Sequence, residues 1–568
     1  RRGGRRRDGA GPLVTGSPGP SPQVVLGPGS PGPPAQVVLG LDVGTTSTKA
    51  VAFGLGTPWR HVAAREYPLL EPRPGWQVQD PEDILAAVSA TLADCAAAAG
   101  TSEVVALSVS TAMHGLIGLD AAMRPLTPLV TWADGRARDE ARELQESGRA
   151  PALHRTSGTP VHSMTPLTKL MWFARHEPDL CAAVRWWVGL KDYVLQRLTG
   201  TLVTELSSAS GTGLLDLATR SWDPALARLA GVRLDQLPEV LPTTAVLALA
   251  GRVAERTGLP AGLPVVVGAG DGPLGNLGTG AMSRGVAGLS LGTSGAVRVV
   301  VPRPPADPDG SLFCYALTDS AWVVGGAVSN GGIVIRWAGS ALAPDLADGP
   351  GEPSVDEQLL ELAAAVPAGS DGLVMLPYLL SERGPLWDPD LPGAYLGLRR
   401  THRRGHLVRA AVEGVCLQLS VIVDRLDRIE PVTSVRVTGG AFRSPLWREV
   451  LAATLDRPVL ALGDAEGTAL GAAALGLYAL GLSPRLEDAP AALGAPAAPA
   501  VLGAPAALGG TAALGGTAAP EAGLVRPDPA LVPVYARSRM AVPRLVGALE
   551  AVADLFGGAP EPVAEGVR

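Results

Sequence analysis

The sequence predicts an α/β protein built from two similar halves. Helical patterns alternate with short β-branched runs from residue 36 to about residue 280, as in DILAAVSATLADCAAAAG followed by EVVALSVS, and this alternation is typical of α/β folds. A second series follows from about residue 285 to residue 480. Each series opens with an apolar strand, a turn of small hydroxylated residues and a second strand, so we expect two hairpins that face a common cleft.

Length and composition favour a globular protein with two large domains. The chain has 568 residues, of which 46% are hydrophobic and 18% charged, which is too long for one ordinary core. Its net charge of −7 disfavours a nucleic-acid partner. No apolar run reaches the roughly 18–20 residues of a membrane span. Four cysteines far apart indicate reduced cytosolic thiols, so we expect a cytoplasmic protein.

Shifts in composition divide the chain into five segments. The basic start RRGGRRRDGA lacks the apolar stretch of a secretory signal and is either a nucleic-acid arm or a disordered tail, which we prefer. A later stretch rich in Ala, Gly and Pro has no large side chains with which to form a core. We therefore predict a disordered tail (1–35), a first domain (36–283), a second domain (284–484), a low-complexity insertion (485–525), and a closing helix with a tail (526–568).

The first hairpin, LDVGTTSTK at residues 41–49, has the features of a phosphate-binding turn. Glycine allows a ligand to approach the backbone, and successive N–H groups of a tight turn suit phosphate oxygens. Carboxylates are the hard ligands that Mg²⁺ prefers. An ordinary surface hairpin is the alternative interpretation. The nucleotide and metal candidates here are Asp42 (also the metal candidate), Gly44, Thr45, Thr46 and Lys49.

Asp271 is the candidate catalytic base. It follows an apolar strand and enters a glycine-rich turn in VVVGAGDGPLGNLGTGA. In phosphoryl transfer one carboxylate commonly orients or accepts the proton of the attacking hydroxyl. The alternative for an isolated Asp-Gly is a helix cap. Two further segments suit a nucleotide: LSLGTSGAV (289–297) repeats the phosphate-turn pattern, and VTGGAFRSPLW (437–447) has a Gly-Gly pair between a strand and a helix.

The order of these segments resembles the FGGY family of carbohydrate kinases. The similarity also includes MTPLTKLMWFARH (164–176) and GAYLGLRRTHRRGHLVRAAVE (393–413), and it extends over residues 37–480 plus the closing helix. The resemblance implies two ribonuclease-H-like domains of the actin-like ATPase type, which close over ATP and a sugar, and a homodimer is the assembly we expect. Within the second of these segments, Glu413 lies in a helical pattern and is interpreted as a structural brace.

The resemblance also implies roles for individual residues. Asp271 would act as the base, with ATP and Mg²⁺ as cofactors. The ATP phosphates would be surrounded by Gly44, Thr45, Thr46, Lys49, Gly292, Thr293 and Gly332. The nucleoside would face Gly439, Gly440 and Ser444, although many relatives carry Asn at the last position. The sugar would contact Met113, His114, Trp132, Asp134 and Arg136.

The substrate is predicted from pocket segments that resemble gluconate kinases, among them TWADGRA, SGTPVHSMTPLTKL and LKDYVLQRLTG. A carboxylate is bound by cations and N–H donors, and Arg136, His114 and His162 are the candidates. The expected reaction is ATP-dependent conversion of D-gluconate to 6-phosphogluconate. The first alternative is a kinase for xylulose or another ketose, and the second is an actin-like nucleotide switch without catalysis.

Overall fold

The structure is a computed structural model, and it describes residues 34–307, 309–349, 353–388, 390–463, 466–494, 523–552 and 555. Most of the predicted tail (1–33) and the centre of the predicted insertion (495–522) lie outside the described residues. The described residues form two mixed sheets with helices on their faces, so the predicted α/β class is confirmed.

The strands include both predicted hairpins. In chain order they are β1 (Gln36–Val43), β2 (Ser47–Gly54), β3 (Arg60–Glu66), β4 (Val78–Gln79), β5 (Glu103–Thr111), β6 (Ile117–Leu119), β7 (Leu129–Val130), β8 (Trp186–Val188), β9 (Val203–Glu205), β10 (Leu215–Asp216), β11 (Ser221–Trp222), β12 (Glu239–Leu241), β13 (Val246–Ala248), β14 (Pro264–Gly270), β15 (Val286–Leu291), β16 (Gly295–Val301), β17 (Phe313–Thr318), β18 (Ala321–Val328), β19 (Val374–Leu376), β20 (Ala394–Leu396), β21 (Ser434–Thr438), β22 (Val459–Ala461) and β23 (Leu524–Val525).

The helices cover the faces of the sheets and form much of the connecting structure. They are α1 (Pro81–Ala99), α2 (Arg138–Glu146), α3 (Ala150–Ser157), α4 (Pro166–His176), α5 (Pro178–Ala183), α6 (Leu190–Thr199), α7 (Leu206–Ser210), α8 (Pro224–Ala230), α9 (Gly251–Thr257), α10 (Asp271–Gly278), α11 (Ile333–Leu342), α12 (Val355–Ala364), α13 (Arg404–Leu426), α14 (Pro445–Leu455), α15 (Gly467–Ala479) and α16 (Val532–Glu550).

The two sheets share a central arrangement of five strands. The first has the order β13-β14-β5-β1-β2-β3, and the second has the order β17-β18-β16-β15-β21-β22-β23. In each, an antiparallel hairpin (β1–β2 or β15–β16) is extended by an antiparallel strand on one side and two parallel strands on the other. This repeated arrangement is the ribonuclease-H-like core expected of both halves.

Helices α10 and α15 cross between the two sheets, and glycines bring their backbones into contact. A Cβ added at Gly278 would lie 1.7 Å from the carbonyl oxygen of Gly467, and one added at Gly471 would lie 1.9 Å from that of Leu274. Helix α15 also packs on β1, where a Cβ at Gly40 would lie 2.0 Å from a carbonyl oxygen of the helix. Although α15 belongs to the second domain in sequence, it therefore packs on the first sheet.

We predict that Gly471→Ala lowers the free energy of unfolding by about 1–3 kcal/mol, because the new methyl group has no space between the helices. Gly251→Ala is the matched control, since no heavy atom of the residues that the structure describes lies within 4 Å of a Cβ at that position. Urea denaturation of both variants should show no more than about 0.5 kcal/mol for the control. Equal effects of the two substitutions would contradict the close packing of α10 on α15.

The closing helix folds back onto the body of the protein, as the sequence predicts, and it packs against helices α13 and α14 of the second domain. Tyr535 of α16 is fully buried, and its hydroxyl donates to Glu413 Oε1 over 2.9 Å. The same carboxylate accepts from Arg409 Nε (2.9 Å), the Gly369 N–H (2.9 Å) and the Ser370 hydroxyl (2.9 Å). Glu413 therefore ties α13, α16 and the turn at residues 369–370 together, and its interpretation as a brace is confirmed.

The ends of the predicted low-complexity insertion need a correction. Residues 486–488 and 491–493 form short 3₁₀ helices, from which Leu486 and Leu493 contribute buried side chains to the core beside α15. At the other end, β23 pairs with β22 at the edge of the second sheet. Two buried leucines order the first end of the segment, and the pairing of β23 with β22 orders the second, despite the high content of Ala, Gly and Pro.

Among the described residues one helix, α13, is long and apolar enough to span a bilayer. In this structure 83% of its most apolar stretch is buried inside the protein. Its apolar character is therefore accounted for by its central place in the core of the second domain.

Candidate active site

Two carboxylates meet at one edge of the first sheet. Strands β1, β5 and β14 run parallel, so their carboxyl ends lie together. Asp42 lies near the end of β1 beside Ser110 of β5, whose hydroxyl donates to Asp42 Oδ1 over 3.0 Å. Asp271 directly follows β14 and begins α10, where its Oδ1 accepts from the Gly272 N–H over 2.7 Å. Both carboxylates line the same cleft.

The environment of this pair disfavours two negative charges. Burial, followed by repulsion from Asp271, raises the pKa of Asp42 to about 7, against the opposing effects of Ser110 and Lys49. Burial also raises the pKa of Asp271, and Arg298 is the strongest opposing influence. A cation bound between the carboxylates and a phosphate ligand would relieve this repulsion.

The cleft contains groups from both domains and has a volume of about 550 Å³. From the first domain it is lined by Asp42, Lys49 and Asp271, and from the second by Arg298 and Gly439. Lys49 forms a 2.5 Å ion pair across it with Glu466, which directly precedes α15. The cleft is therefore of a size and polarity that suit a nucleotide.

The first turn is held by side chains that bind its backbone carbonyls. The Tyr67 hydroxyl donates to the Gly44 carbonyl over 2.7 Å, and Gln79 Nε2 donates to the Thr45 carbonyl over 2.6 Å. Trp132 Nε1 donates to Thr45 Oγ1 over 2.9 Å. Thr46 is exposed at the tip of the turn. These contacts hold the turn in one conformation and join the predicted sugar and phosphate regions.

The second turn packs on the N-terminus of α11. The Gly332 N–H donates to the Gly292 carbonyl over 2.7 Å, and the Gly331 N–H donates to the Thr293 carbonyl over 3.1 Å. A Cβ at Gly332 would lie 2.8 Å from that Gly292 oxygen. Gly292 and Thr293 are exposed. Because the Gly332 N–H already donates to the Gly292 carbonyl, Gly332 positions the turn at residues 292–294.

The strand–helix connection after β21 requires glycine at its first position. Gly439 has φ +107°, and a Cβ there would lie 2.3 Å from the Leu291 carbonyl oxygen. Gly440 is exposed, and Ser444 is the N-cap residue of α14 without a capping hydrogen bond from its side chain. Of the three predicted nucleoside contacts, Gly439 is the one that lines the cleft.

The predicted sugar contacts Met113 and His114 lie where the first domain meets the second. His114 has φ +65°, a conformation that non-glycine residues adopt uncommonly. Its Nδ1 is 2.8 Å from the Gly211 carbonyl, and its Nε2 is 3.4 Å from the Tyr315 hydroxyl. Burial lowers the pKa of His114 to about 3, so the ring is neutral at pH 7. Met113 packs beneath it against Gly211 and Gly270.

Asp134 and Arg136 are occupied by internal contacts, which corrects their prediction as sugar contacts. Arg136 Nε and Nη2 bind the two carboxylate oxygens of Asp134 over 2.8 and 2.9 Å, and the Gln77 N–H donates to the same carboxylate. The guanidinium carbon lies 3.9 Å from the ring centroid of Trp76 and 5.1 Å from that of Trp172. The side chains of Asp134 and Arg136 are both almost fully buried. The guanidinium of Arg136 packs between the rings of Trp76 and Trp172.

Trp132 and His162, two further predicted sugar contacts, differ in their exposure and in their partners. Trp132 is half-buried, with Arg383 stacked on its ring at 4.7 Å. His162 is 93% buried; its Nδ1 accepts from the Met164 N–H over 3.2 Å, which places the proton on Nε2. Among the described residues Nε2 has no hydrogen-bond partner. A buried donor without a partner is costly, so this N–H is available to a ligand.

Two arginines that no sequence motif predicts, Arg298 and Arg383, are charged neighbours of Asp271. Arg298 lies on β16 beside Asp271, and its guanidinium packs against the backbone of Gly272, where a Cβ would lie 3.2 Å from Nε. Its signal was a charged residue inside the apolar run AVRVVV. Arg383 lies in a long connection without periodicity, and no local pattern marks it.

Two buried lysines stabilise the backbone around the candidate site by donating hydrogen bonds to its carbonyl groups. Lys169 Nζ donates to the carbonyls of His114 and Thr131, each over 2.7 Å. Lys191 Nζ donates to the carbonyls of Val109 (2.5 Å) and Ala269 (2.8 Å), which lie near the ends of β5 and β14. The interpretation of Lys191 as structural agrees with these contacts, since it holds together the two strands that carry Ser110 and Asp271.

Comparisons with known proteins identify the family. Residues 37–278 match the N-terminal domain of the FGGY family of carbohydrate kinases, and residues 287–480 match its C-terminal domain. The chain belongs to the FGGY family of carbohydrate kinases. It is therefore an ATP-dependent sugar kinase, and the alternative of a nucleotide switch without catalysis is set aside.

Individual FGGY kinases are similar over most of the chain. Gluconokinase of Bacillus subtilis (strain 168) is 37% identical over 78% of this chain and 87% of its own. Xylulose kinase of Escherichia coli (strain K12) is 32% identical over 77% of this chain and 88% of its own. The crystal structure of gluconate kinase from Lactobacillus acidophilus has a TM-score of 0.82 at 30% identity, covering 92% of this chain and all of that one. These kinases share one fold but differ in the sugars that name them.

Proposed function

We propose that this FGGY kinase transfers the γ-phosphate of ATP to the C6 hydroxyl of D-gluconate, with Asp271 as the base. The observation that carries the proposal is the position of Asp271, which lies at the N-terminus of α10 between the interdomain cleft and the residues around His114. A substrate hydroxyl bound next to His114 would contact the Asp271 carboxylate, and the interdomain cleft would lie on the other side of that carboxylate. The similarity to gluconokinases supports the choice of substrate.

The proposed mechanism depends on positioning the attacking hydroxyl and on neutralising the charge of the transferring phosphoryl group. The Asp271 carboxylate accepts the proton of the attacking hydroxyl, while Arg298 neutralises charge on the transferring phosphoryl group. Backbone N–H groups of the turns at residues 44–46 and 292–294, together with Lys49, would hold the remaining phosphate oxygens. For Lys49 this requires release from Glu466.

A single magnesium ion fits the carboxylates of the cleft. The described residues contain no cluster of three His, Cys, Asp or Glu side chains that could hold a metal. Mg²⁺ bound with a nucleotide, however, commonly takes one or two carboxylates and completes its shell with phosphate oxygens and water. We propose Asp42 as that carboxylate, since it lines the cleft together with Asp271 and its pKa is raised. When bound, the ion would neutralise the phosphate oxygens.

A coupled assay on the purified protein tests the substrate. With ATP and Mg²⁺, we expect the highest kcat/KM with gluconate and at least about tenfold lower values with xylulose, ribulose and glycerol, because hydrogen-bonding sites reject substrates that leave polar groups unpaired. Xylulose kinase is the second candidate, since relatives of that name are also similar. Rapid turnover of xylulose without turnover of gluconate would overturn the proposed substrate and leave the kinase activity intact.

A cytoplasmic location and a homodimer stay predictions. Light scattering on the purified chain, whose mass is 57.9 kDa, tests the assembly.

A further inference from the structure

Lys169 is a fully buried cation on helix α4, within the segment MTPLTKLMWFARH at residues 164–176. Its ammonium group donates to the backbone carbonyls of His114 and Thr131, each over 2.7 Å, and to that of Val130 over 3.4 Å. An ammonium group has three donors, so neutral carbonyls, rather than a carboxylate, accept all of its hydrogen bonds. Because the residue is 0% exposed, Lys169 does not itself touch a ligand.

A cation at this position is costly to the fold. Burial lowers the pKa of Lys169 to about 7, against the opposing attraction of Asp134, and this shift reflects the solvation that a buried charge loses. An apolar side chain of similar length, such as methionine, would fill the same space without that loss. Packing alone therefore does not account for a lysine here, and we look for its role in the carbonyls that it binds.

These carbonyls belong to two segments that cross beneath the candidate sugar site. The backbones of Leu116 and Val130 exchange two hydrogen bonds, of 3.0 and 2.9 Å, and so join the segments at one point. The ammonium group of Lys169 continues this connection to His114 on one segment and to Thr131 on the other. It thereby fixes the separation of the two backbones beyond the point where they pair.

Each of the two segments carries a residue predicted to contact the sugar. His114 has φ +65°, an uncommon conformation, and its Nδ1 lies 2.8 Å from the Gly211 carbonyl. Trp132 directly follows Thr131, and its Nε1 donates to Thr45 Oγ1 over 2.9 Å. A displacement of either carbonyl would therefore move a side chain of the predicted sugar site.

We infer that Lys169 is a positioning residue for the sugar: it holds the backbone at His114 and next to Trp132, and so sets the affinity for the substrate without contacting it. The inference rests on the proposed function, in which a substrate hydroxyl binds next to His114. It assigns to Lys169 an effect on sugar binding, and not on the catalytic carboxylate or on the nucleotide.

Lys191 provides the matched comparison, because it is also a buried lysine that binds carbonyls. It is 1% exposed, and its Nζ donates to the carbonyls of Val109 over 2.5 Å and Ala269 over 2.8 Å. Ala269 lies two residues before Asp271, at the end of the strand that delivers this carboxylate. The same substitution at the two lysines therefore separates an effect on sugar binding from an effect on the proposed base.

Lys169→Met should raise the KM for gluconate by about 10- to 100-fold, the range expected for the loss of a hydrogen bond to a charged group. Its kcat and its KM for ATP should change by less than about threefold, since a group that acts in substrate binding alone affects KM. Lys169→Gln retains an amide donor and should recover part of the affinity. Lys191→Met should instead lower kcat by at least about tenfold, as expected for a displaced general base.

Steady-state kinetics with gluconate and with ATP measure this difference, and calorimetric titration of gluconate into the protein without ATP should show the same loss of affinity in Lys169→Met. Circular dichroism establishes that each variant is folded. A folded Lys169→Met whose KM for gluconate stays within about threefold of the wild type would overturn the inference. An equal rise in the KM for ATP, or the same change of KM and kcat in Lys191→Met, would overturn it too.

Two further outcomes are decided by the same measurements. If Lys169→Met fails to fold, Lys169→Gln is judged by the same comparison of KM with kcat. Failure of the wild type to phosphorylate gluconate, with rapid turnover of xylulose, would overturn the proposed substrate alone. The KM for xylulose in Lys169→Met then decides the inference, and an unchanged value overturns it.

Discussion

Asp271→Asn should lower kcat by about 10²- to 10⁴-fold, the range of a lost general base. Asparagine keeps the size of the side chain and its position at the start of α10, but it cannot accept the proton of the attacking hydroxyl. The substitution also removes one of the two interacting carboxylates of the cleft, so ATP should bind at least as tightly as to the wild type. Steady-state kinetics and a nucleotide-binding titration measure these two effects separately.

Asp235→Asn is the control for this experiment. Asp235 is an exposed carboxylate of the first domain, paired with the exposed Arg233, and its loss should leave kcat unchanged. Near-normal turnover by Asp271→Asn would remove the proposed mechanism. A fall in turnover accompanied by an equal loss of ATP affinity would instead indicate that Asp271 serves nucleotide binding.

Glu413→Ala should lower the free energy of unfolding by about 3–5 kcal/mol, because it leaves a buried cation without its partner. Arg409 and Glu413 are each less than about one-tenth exposed and form a 2.9 Å ion pair. The alanine also removes the acceptor for Tyr535 of α16 and for the turn at residues 369–370. Urea denaturation, followed by tryptophan fluorescence, should show the loss.

The exposed ion pair between Arg404 and Asp345 provides the matched comparison, since both side chains are at least one-third exposed. Asp345→Ala should cost no more than about 1 kcal/mol, the range of surface pairs. Similar losses in Asp345→Ala and Glu413→Ala would show that Glu413 does not act as a brace.

Local patterns were sufficient to predict the fold and part of the candidate site. Apolar runs separated by Gly-Thr turns predict hairpins, because strand periodicity and turn chemistry are properties of neighbouring residues. Asp42 and Asp271 could be singled out for the same reason, since each ends an apolar strand. The structure places both at one sheet edge, as parallel strands require.

The roles of the arginines could not be predicted in this way. The TWADGRA segment predicts Arg136 as a sugar contact, yet its aromatic partners Trp76 and Trp172 come from distant segments. Arg383 acquires its orientation from β18 and its stacking partner from the first domain, so its environment exists only after both domains have folded. Composition predicts that the whole low-complexity segment lacks structure. Its ends are nevertheless ordered, because buried leucines at one end and a strand pairing at the other stabilise them.

The amino-acid sequence by itself determined the α/β class, the two hairpins with Gly-Thr turns, the carboxylates at the strand ends and the closing helix, because these depend on periodicity and on residues close in the chain. Only the tertiary structure decided which cations are paired internally and which face the cleft, and it alone packed α15 on the sheet of the other domain. The physical reason is that burial and charge pairing are set by segments far apart in sequence.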